Sequence, residues 1–358
     1  MKILTIVGAR PQFIKAAAVS RAVVKYEGVT EVIVHTGQHF DKNMSDVFFE
    51  EMHIPKPDHH LHINSLSHGA MTGRMLEGIE GVILEEKPDW VLVYGDTNST
   101  LAGALAASKL HIPLAHVEAG LRSFNMKMPE EVNRILTDRI STVLFCPTST
   151  AIKNLENEGF EKLENEVIQV GDVMYDAALF YSDKSRKPDF VVPEKFILTT
   201  CHRAENTDDP KKLANIINGL NEIHRDTPVI LPLHPRTKNY IEKYDLKPEF
   251  QLVDPVGYLE MVYLLQNCSM VMTDSGGLQK EAFFFKKSCI TLRDETEWVE
   301  LIENKVNYLC QVANEGEIVS LFEKMKREEV DFGVNLYGEG DTAELIVGDL
   351  LGRKLNNI

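Results

Sequence analysis

Carboxylates, cations and glycines recur along this chain wherever a short apolar run gives way to a polar one, and three such places carry acids. Asp96 lies in Tyr94-Gly95-Asp96-Thr97-Asn98-Ser99-Thr100, Glu118 in His116-Val117-Glu118-Ala119-Gly120-Leu121-Arg122, and Glu130 in Pro129-Glu130-Glu131-Val132-Asn133-Arg134. Alternation along a strand puts His116 and Glu118 on one face, and Glu130 and Arg134 share a helix face at i, i+4. Carboxylates gathered in one crevice repel one another and lose water, which raises the pKa of at least one. The chemistry that results is a carboxylate base beside a carboxylic acid near neutral pH. Plainer readings stand beside this one: Asp96, with Thr97 or Asn98, reads as capping chemistry at a helix start, and Glu130 with Arg134 reads as a surface ion pair. A metal centre on Asp96, His116 and Glu118 is not expected, because neither a DxD pair nor an HExxH helix supports it.

A second group of motifs suits an anion. Gly8-Ala9-Arg10-Pro11-Gln12-Phe13-Ile14-Lys15 follows the first apolar run; Arg10 and Lys15 read either as contacts to a negatively charged substrate or as solvated cations on a turn. The motif is not GxGxxG, so dinucleotide binding gains no support. Later come Thr200-Cys201-His202-Arg203-Ala204-Glu205-Asn206, Pro232-Leu233-His234-Pro235-Arg236 and Thr273-Asp274-Ser275-Gly276-Gly277-Leu278-Gln279-Lys280-Glu281. Ser275, Gly276 and Gly277 lie where a strand becomes a helix. Small residues there admit phosphate oxygens to unpaired backbone N–H groups at the positive end of the helix dipole. Glu281, in the first turns of that helix, is placed to accept from ribose hydroxyls, and His202 and Arg203 to neutralise a diphosphate. A simple helix cap is the plainer alternative for the Ser-Gly-Gly turn.

These residues need a scaffold, and the pattern around them describes one. At 358 residues the chain exceeds what one core supports, so two domains are expected. Runs rich in Val, Ile and Leu alternate with longer amphipathic segments throughout, which predicts an α/β fold of two Rossmann-like domains with parallel sheets. Strands are expected at 2–8, 31–35, 90–96, 114–118, 143–147 and 167–170, then at 196–201, 229–234, 251–253, 270–273 and 289–292. The first domain is read as 1–171 and the second as 172–341, with a helix at about 342–358 packing back on the first. Ligands of open α/β sheets bind beyond the carboxyl ends of strands, so the acids are expected on one wall of a cleft and the phosphate-binding groups on the other. A net charge of −16 argues against a nucleic-acid partner, and no apolar run approaches the length of a membrane span. Five widely spaced cysteines read as reduced thiols, and residue 1 leads directly into a strand, so a cytoplasmic protein is expected.

Seven segments together resemble the non-hydrolysing UDP-N-acetylglucosamine 2-epimerases: 8–15, 95–100, 116–123, 129–134, 202–206, 274–282 and Arg293-Asp294-Glu295-Thr296-Glu297. They occur in family order through nearly the whole chain. The resemblance implies the two-domain architecture of the glycosyltransferase B and glycogen phosphorylase group. It also implies interconversion of UDP-GlcNAc and UDP-ManNAc without a nicotinamide or metal cofactor, in a homodimer. By motif it ties Arg10, Lys15, Asp96, Glu118 and Glu130 to substrate contact or catalysis, and His202, Ser275, Gly276, Gly277 and Glu281 to UDP. Arg134, Arg203 and His234 complete the expected substrate-binding set. The C2 proton of an amino sugar is not acidic, and family chemistry avoids its direct removal by eliminating UDP across C1–C2 and re-adding it to the resulting 2-acetamidoglucal. Two proton-transfer groups are then needed; they are assigned to Asp96, Glu118 and Glu130 without ranking. Arg10, His202 and the helix start at 275–277 stabilise the departing diphosphate, at about 3–4 kcal/mol per well-placed donor.

Two departures bear on the substrate. Where relatives often carry Arg-Pro, Trp298 and Val299 follow Glu297; similar Thr-Glu-Trp sequences accompany family members acting on UDP-2,3-diacetamido-glucuronic acid, the alternative substrate. The loop 37–44 differs from the QHREMLDQ-like loop of members activated by a second UDP-GlcNAc. Gln38, His39, Arg74 and His234 are retained, which leaves such activation open.

Overall fold

The computed structural model describes residues 1–38, 49 and 53–356, without the side chains of 354–356. His39 and the rest of the loop to Met44 lie outside the described residues. The chain forms two compact units, Met1–Ala177 with Asn335–Ile358, and Ala178–Val334.

The sheet of the first unit has the order β3-β2-β1-β4-β5-β6-β7. Its strands are β1 (Lys2–Val7), β2 (Thr30–His35), β3 (His59–His60), β4 (Trp90–Tyr94), β5 (Leu114–Val117), β6 (Val143–Cys146) and β7 (Glu166–Gln169), every pairing parallel. The central strands are apolar on both faces because helices cover both, which is why they read as continuous runs rather than alternations. Leu4, Ile6, Val91 and Val93 pack with Met75 and Ile79 of helix His68–Glu86 and with Ala102 and Ala106 of helix Asn98–Lys109. The second helix approaches closely because it is built from small residues: a methyl on Gly103 would stand 3.1 Å from Val93 and 3.2 Å from Ile6.

The C-terminal helix Thr342–Asn356 packs on helix Arg10–Val23. Lys25 pairs with Glu344 and Arg353 with Glu166 at 2.5 Å. The Ala343 N–H donates to Asp176 at 2.8 Å, and the Asp172 N–H to the Tyr337 carbonyl at 2.9 Å. Gly171, at φ +95°, has the Tyr337 carbonyl oxygen 2.6 Å from where a Cβ would be. These bonds explain where the units divide. The first extends to Ala177 and takes back the chain at Asn335, where the sequence suggested 171 and 342.

The second unit has the sheet order β10-β9-β8-β11-β12-β13. Its strands are β8 (Ile197–Thr200), β9 (Val229–Pro232), β10 (Gln251–Val253), β11 (Met270–Thr273), β12 (Cys289–Thr291) and β13 (Asn307–Leu309), again all parallel. Helices on the two faces close two cores, one around Ile216, Leu220, Ile318 and Phe322 and the other around Leu264, Leu265, Leu278 and Ala282.

The edge strands β3 and β13 are not among those expected from the sequence. β3 is two histidines and β13 is Asn307-Tyr308-Leu309, so ladder bonds to a neighbour define each rather than an apolar run. The expected strands also overran: β1, β4 and β5 stop at Val7, Tyr94 and Val117, leaving Gly8, Asp96 and Glu118 in the loops beyond.

His35 ends β2 with its ring 4.8 Å from Phe13 and 4.2 Å from His60, which stacks on His62 at 3.8 Å. Burial, then the charges His60 and His62 would carry, push its pKa down to about 4. The folded value thus lies below the unfolded one, so the neutral ring's contribution is intact above pH 6.5 and is lost as pH falls toward 4, about 3 kcal/mol in all. His35→Phe should flatten this part of the stability profile. Urea unfolding at pH 7 and pH 4.5 measures it, and an unchanged difference between the two pH values contradicts the assignment.

Candidate active site

In the first unit, the loops after β1, β4 and β5 converge at the carboxyl end of the sheet. Gln12 ties the first two together. Its buried amide accepts from the Gly8 and Ala9 N–H groups at 2.8 and 3.1 Å and donates to the Tyr94 carbonyl at 2.7 Å and the Thr100 hydroxyl at 3.0 Å. Gly8 admits this approach, since a Cβ there would collide with the Ser99 and Thr36 hydroxyls. Thr97 caps helix Asn98–Lys109, its hydroxyl accepting from the Thr100 N–H at 3.3 Å. Capping therefore falls to Thr97, and the Asp96 carboxylate is available to bond elsewhere.

That carboxylate pairs with Arg134, and Glu118 pairs with Lys15. Lys15 and Glu118 are largely buried, whereas 32% of the Asp96 side chain remains exposed. Burial raises the Asp96 carboxyl above its usual value; Arg134 and Lys15 pull it down and Glu118 pushes it up, and the net direction remains upward. Gly95 stands at φ +62° between the two acids, where a Cβ would lie 3.3 Å from Glu118 Oε2 and 3.8 Å from Lys15 Nζ. Glu118 itself adopts φ +69°, a conformation an ordinary side chain occupies only under constraint. Arg10, half-buried, opens helix Arg10–Val23, the helix that carries Lys15.

Glu130 does not take the partner expected of it. It is exposed and pairs with none of the described residues, while Arg134 reaches Asp96 and, at 3.0 Å, Glu131. Glu131 is the buried member of the pair. It accepts from the Ser123 and Phe124 N–H groups at 2.9 and 2.8 Å, fixing the loop before helix Pro129–Ile140. At the start of a helix the third residue turns back toward the preceding loop, so the i, i+3 contact displaces the i, i+4 one.

In the second unit the organiser is Asp274, fully buried after β11. It accepts from the His202 and Arg203 N–H groups at 2.9 Å each and from the Asn206 amide at 3.1 Å, shaping the loop 201–206. The His202 ring lies 5.4 Å from that of His234. Burial, followed by the charges of His202 and Arg236, lowers the His234 pKa, and its Nδ1 accepts from the Arg236 N–H at 3.1 Å. Ser275 precedes helix Gly276–Phe284 without capping it, so the helix start keeps N–H donors for an anion. A Cβ on Gly276 would meet the Glu297 carboxylate and lie 3.8 Å from Arg203, whereas one on Gly277 would point into open space. Glu297 is held by Arg293 at 3.0 Å. Glu281, further along the helix, faces the buried Tyr258 hydroxyl.

The model of the UDP-N-acetylglucosamine 2-epimerase family matches residues 21–351. The chain belongs to the UDP-N-acetylglucosamine 2-epimerase family. It is an isomerase by that membership, and its two units are the parallel-sheet halves of a glycosyltransferase B type architecture. The UDP-2,3-diacetamido-2,3-dideoxy-D-glucuronate 2-epimerase of Pseudomonas aeruginosa is 59% identical over 97% of this chain and 98% of its own. The UDP-GlcNAc 2-epimerase of Methanocaldococcus jannaschii, solved with UDP-GlcNAc and UDP, is 43% identical with a TM-score of 0.86, covering 98% of this chain and 99% of that one. The Neisseria meningitidis enzyme bound to UDP-GlcNAc is 31% identical with a TM-score of 0.87, covering 98% and 100%.

For this epimerase-family chain, reading the sequence missed Gln12, Glu131, Asp274 and Glu297 as organisers. All four lie inside or beside motifs that were recognised, but what they organise is set by the fold: Gln12 reaches the Tyr94 carbonyl and Thr100 hydroxyl, and Asp274 the N–H groups of His202 and Arg203. Gly8→Ala should cost about 1–3 kcal/mol of stability through overpacking and displace the turn bearing Arg10. Chemical denaturation checks the first effect, and a variant as stable as the parent refutes the close approach.

Proposed function

We propose that this chain inverts C2 of a UDP-linked 2-acetamido sugar by eliminating UDP across C1–C2 and adding it back. The observation that carries the proposal is the cluster of Asp96 and Glu118 at the ends of β4 and β5, each carboxylate paired with its own cation. One acid takes the C2 proton while the C1–O bond breaks and its electron pair leaves with UDP, so that a C1–C2 double bond forms. In the reverse sense the diphosphate oxygen attacks C1, and a proton reaches the other face of C2. Atoms and charge balance, and only the configuration changes. Asp96, its pKa raised by burial, is a stronger proton acceptor than an ordinary carboxylate. Glu130 lies exposed at the start of the helix that carries Arg134, and is retained as a proton-transfer group on the strength of the family motif alone. His202, Arg203, His234 and the helix start at Ser275, Gly276 and Gly277 are assigned to the diphosphate, Glu281 to the ribose, and Arg10, Lys15 and Arg134 to substrate contact and charge.

Two sugars are supported by different observations. The 59% identity to the Pseudomonas enzyme, together with Thr296-Glu297-Trp298 in place of the more common Thr-Glu-Arg-Pro, favours UDP-2,3-diacetamido-glucuronate. The matching structures with bound UDP-GlcNAc support UDP-GlcNAc and UDP-ManNAc. The family resemblance supports a homodimer, and the five buried thiols suit a reducing compartment such as the cytoplasm.

Each sugar incubated with the protein in D2O should gain deuterium at C2 only if it is a substrate. Failure of both sugars to exchange ends the proposal. A second expectation concerns the base. Arg134 lowers the Asp96 pKa, so Arg134→Gln should raise it further and move the acid limb of kcat/KM to higher pH, lowering the rate most at acid pH. An acid limb that stays in place or moves the other way removes Asp96 from the base role.

A further inference from the structure

Behind the two acids lies a second cluster that the proposed chemistry does not use. His116, on β5, is fully buried. Its Nδ1 is 2.7 Å from Asp138 Oδ1 and its Nε2 is 2.7 Å from the Gly95 carbonyl oxygen. A carbonyl oxygen only accepts, so Nε2 must carry a proton. Asp138 is also fully buried and takes N–H donors on its other oxygen, from Gly120 at 3.2 Å and from Arg122 at 2.7 Å. Burial alone would raise the Asp138 carboxyl; hydrogen bonds from His116 and Arg122 and their charges reverse this and hold it below its usual value. One proton lies between His116 Nδ1 and Asp138 Oδ1 and closes that contact.

Arg122 continues the network outward, donating to Glu158 at 2.6 and 2.9 Å and to its neighbour's carbonyl, Leu121, at 2.7 Å. Buried Asp138 has the Arg122 guanidinium as its counter-charge, and Arg122 also meets the exposed Glu158. What the network grips is the backbone of the acid loops. His116 holds the Gly95 carbonyl, and the Asn133 amide holds the next carbonyl, that of Asp96, at 2.9 Å. The Gly95 N–H donates to the Val117 carbonyl at 3.0 Å, and the Glu118 N–H to Phe145 at 3.1 Å. Gly95, Glu118 and Gly120 all have positive φ, at +62°, +69° and +77°. Glu118, a non-glycine residue, is the one that takes a disfavoured conformation, whereas Gly95 and Gly120 turn without a Cβ clash and are fixed by their hydrogen bonds, the buried imidazole bonding directly to Gly95.

We infer that His116 is a positioning residue: held between Asp138 and the Gly95 carbonyl, it fixes the turn that sets Asp96 against Glu118. The inference rests on the proposed roles of those two carboxylates. Misplacing reacting groups by about 1 Å costs roughly 100-fold in rate, while contacts to UDP elsewhere are untouched, so the loss should fall on kcat. The nitrogen of a glutamine amide can reach the place of Nε2 and donate to Gly95, whereas leucine cannot.

His116→Leu should lower kcat about 10–100-fold with KM changed by no more than about threefold, and His116→Gln should recover most of kcat. Equal losses in the two variants, or a loss carried by KM, overturn the positioning role. Should the leucine variant fail to fold, the glutamine variant is decisive alone: kcat within about threefold of the parent supports the role, and a loss as large as that expected for leucine overturns it. Nitrogen-15 spectra of the histidine-labelled parent should show one ring whose Nε2 carries a slowly exchanging proton, a signal lost in His116→Gln; its absence overturns the assignment. Those spectra read the state of His116 whether or not the protein exchanges C2 of either sugar, so a failure of the functional reading is recognised separately.

Discussion

Lys15 against Glu118 and Arg134 against Asp96 are the contacts on which the first unit's site depends. Two carboxylates brought together at the end of a sheet repel and lose hydration, and each needs a positive neighbour to remain there. The counter-charging is incomplete by design of the surroundings: Asp96 keeps its raised pKa despite Arg134 and Lys15 because burial and Glu118 outweigh them. A carboxylate whose pKa is raised holds a proton more readily than one in a fully compensated surface ion pair.

The scaffold meets this demand with backbone rather than bulk. Parallel strands end together, so the loops after β1, β4 and β5 emerge side by side, and small residues let them touch: Gly8 against Ser99 and Thr36, Gly95 against Glu118, and Gly120 against the Ala151 carbonyl. Gln12 joins two of those loops with one amide, and the His116–Asp138–Arg122 set supports them from within. Of the positive-φ turns, that of Glu118 needs such support, since a non-glycine residue there sits in a sparsely populated region of backbone space.

The second unit solves a different problem with the same means. Its loop 201–206 carries cations, and a buried carboxylate, Asp274, gathers the N–H groups of that loop from beneath. Because Asp274 directly precedes Ser275 and the open helix start, one residue aligns the cationic loop with the N–H donors that an anion would meet. Glu297 and Arg293, close to Gly276, complete the polar surroundings of that helix start.

The sequence by itself determined the alternation of strand and helix, the existence of two parallel-sheet units, and the loops where chemistry gathers. These are local signals: an apolar run of four to six residues, a glycine where the chain must turn, small residues where a strand becomes a helix. Asp96 and Glu118 were expected together, with Glu130, because each of the two lies just past such a run, whereas Lys15 was read with Arg10 as a contact to an anion and not as the partner of Glu118. Tertiary structure alone decided who pairs with whom. Arg134 reaches across to Asp96 and back to Glu131 instead of to Glu130, and His116 finds Asp138 on another element. It also decided that the two short edge strands exist and that the first unit reclaims the chain at Asn335. Hydrogen bonds and ion pairs act over a few ångströms of space, and spacing along the chain carries that distance only within one helix or one strand.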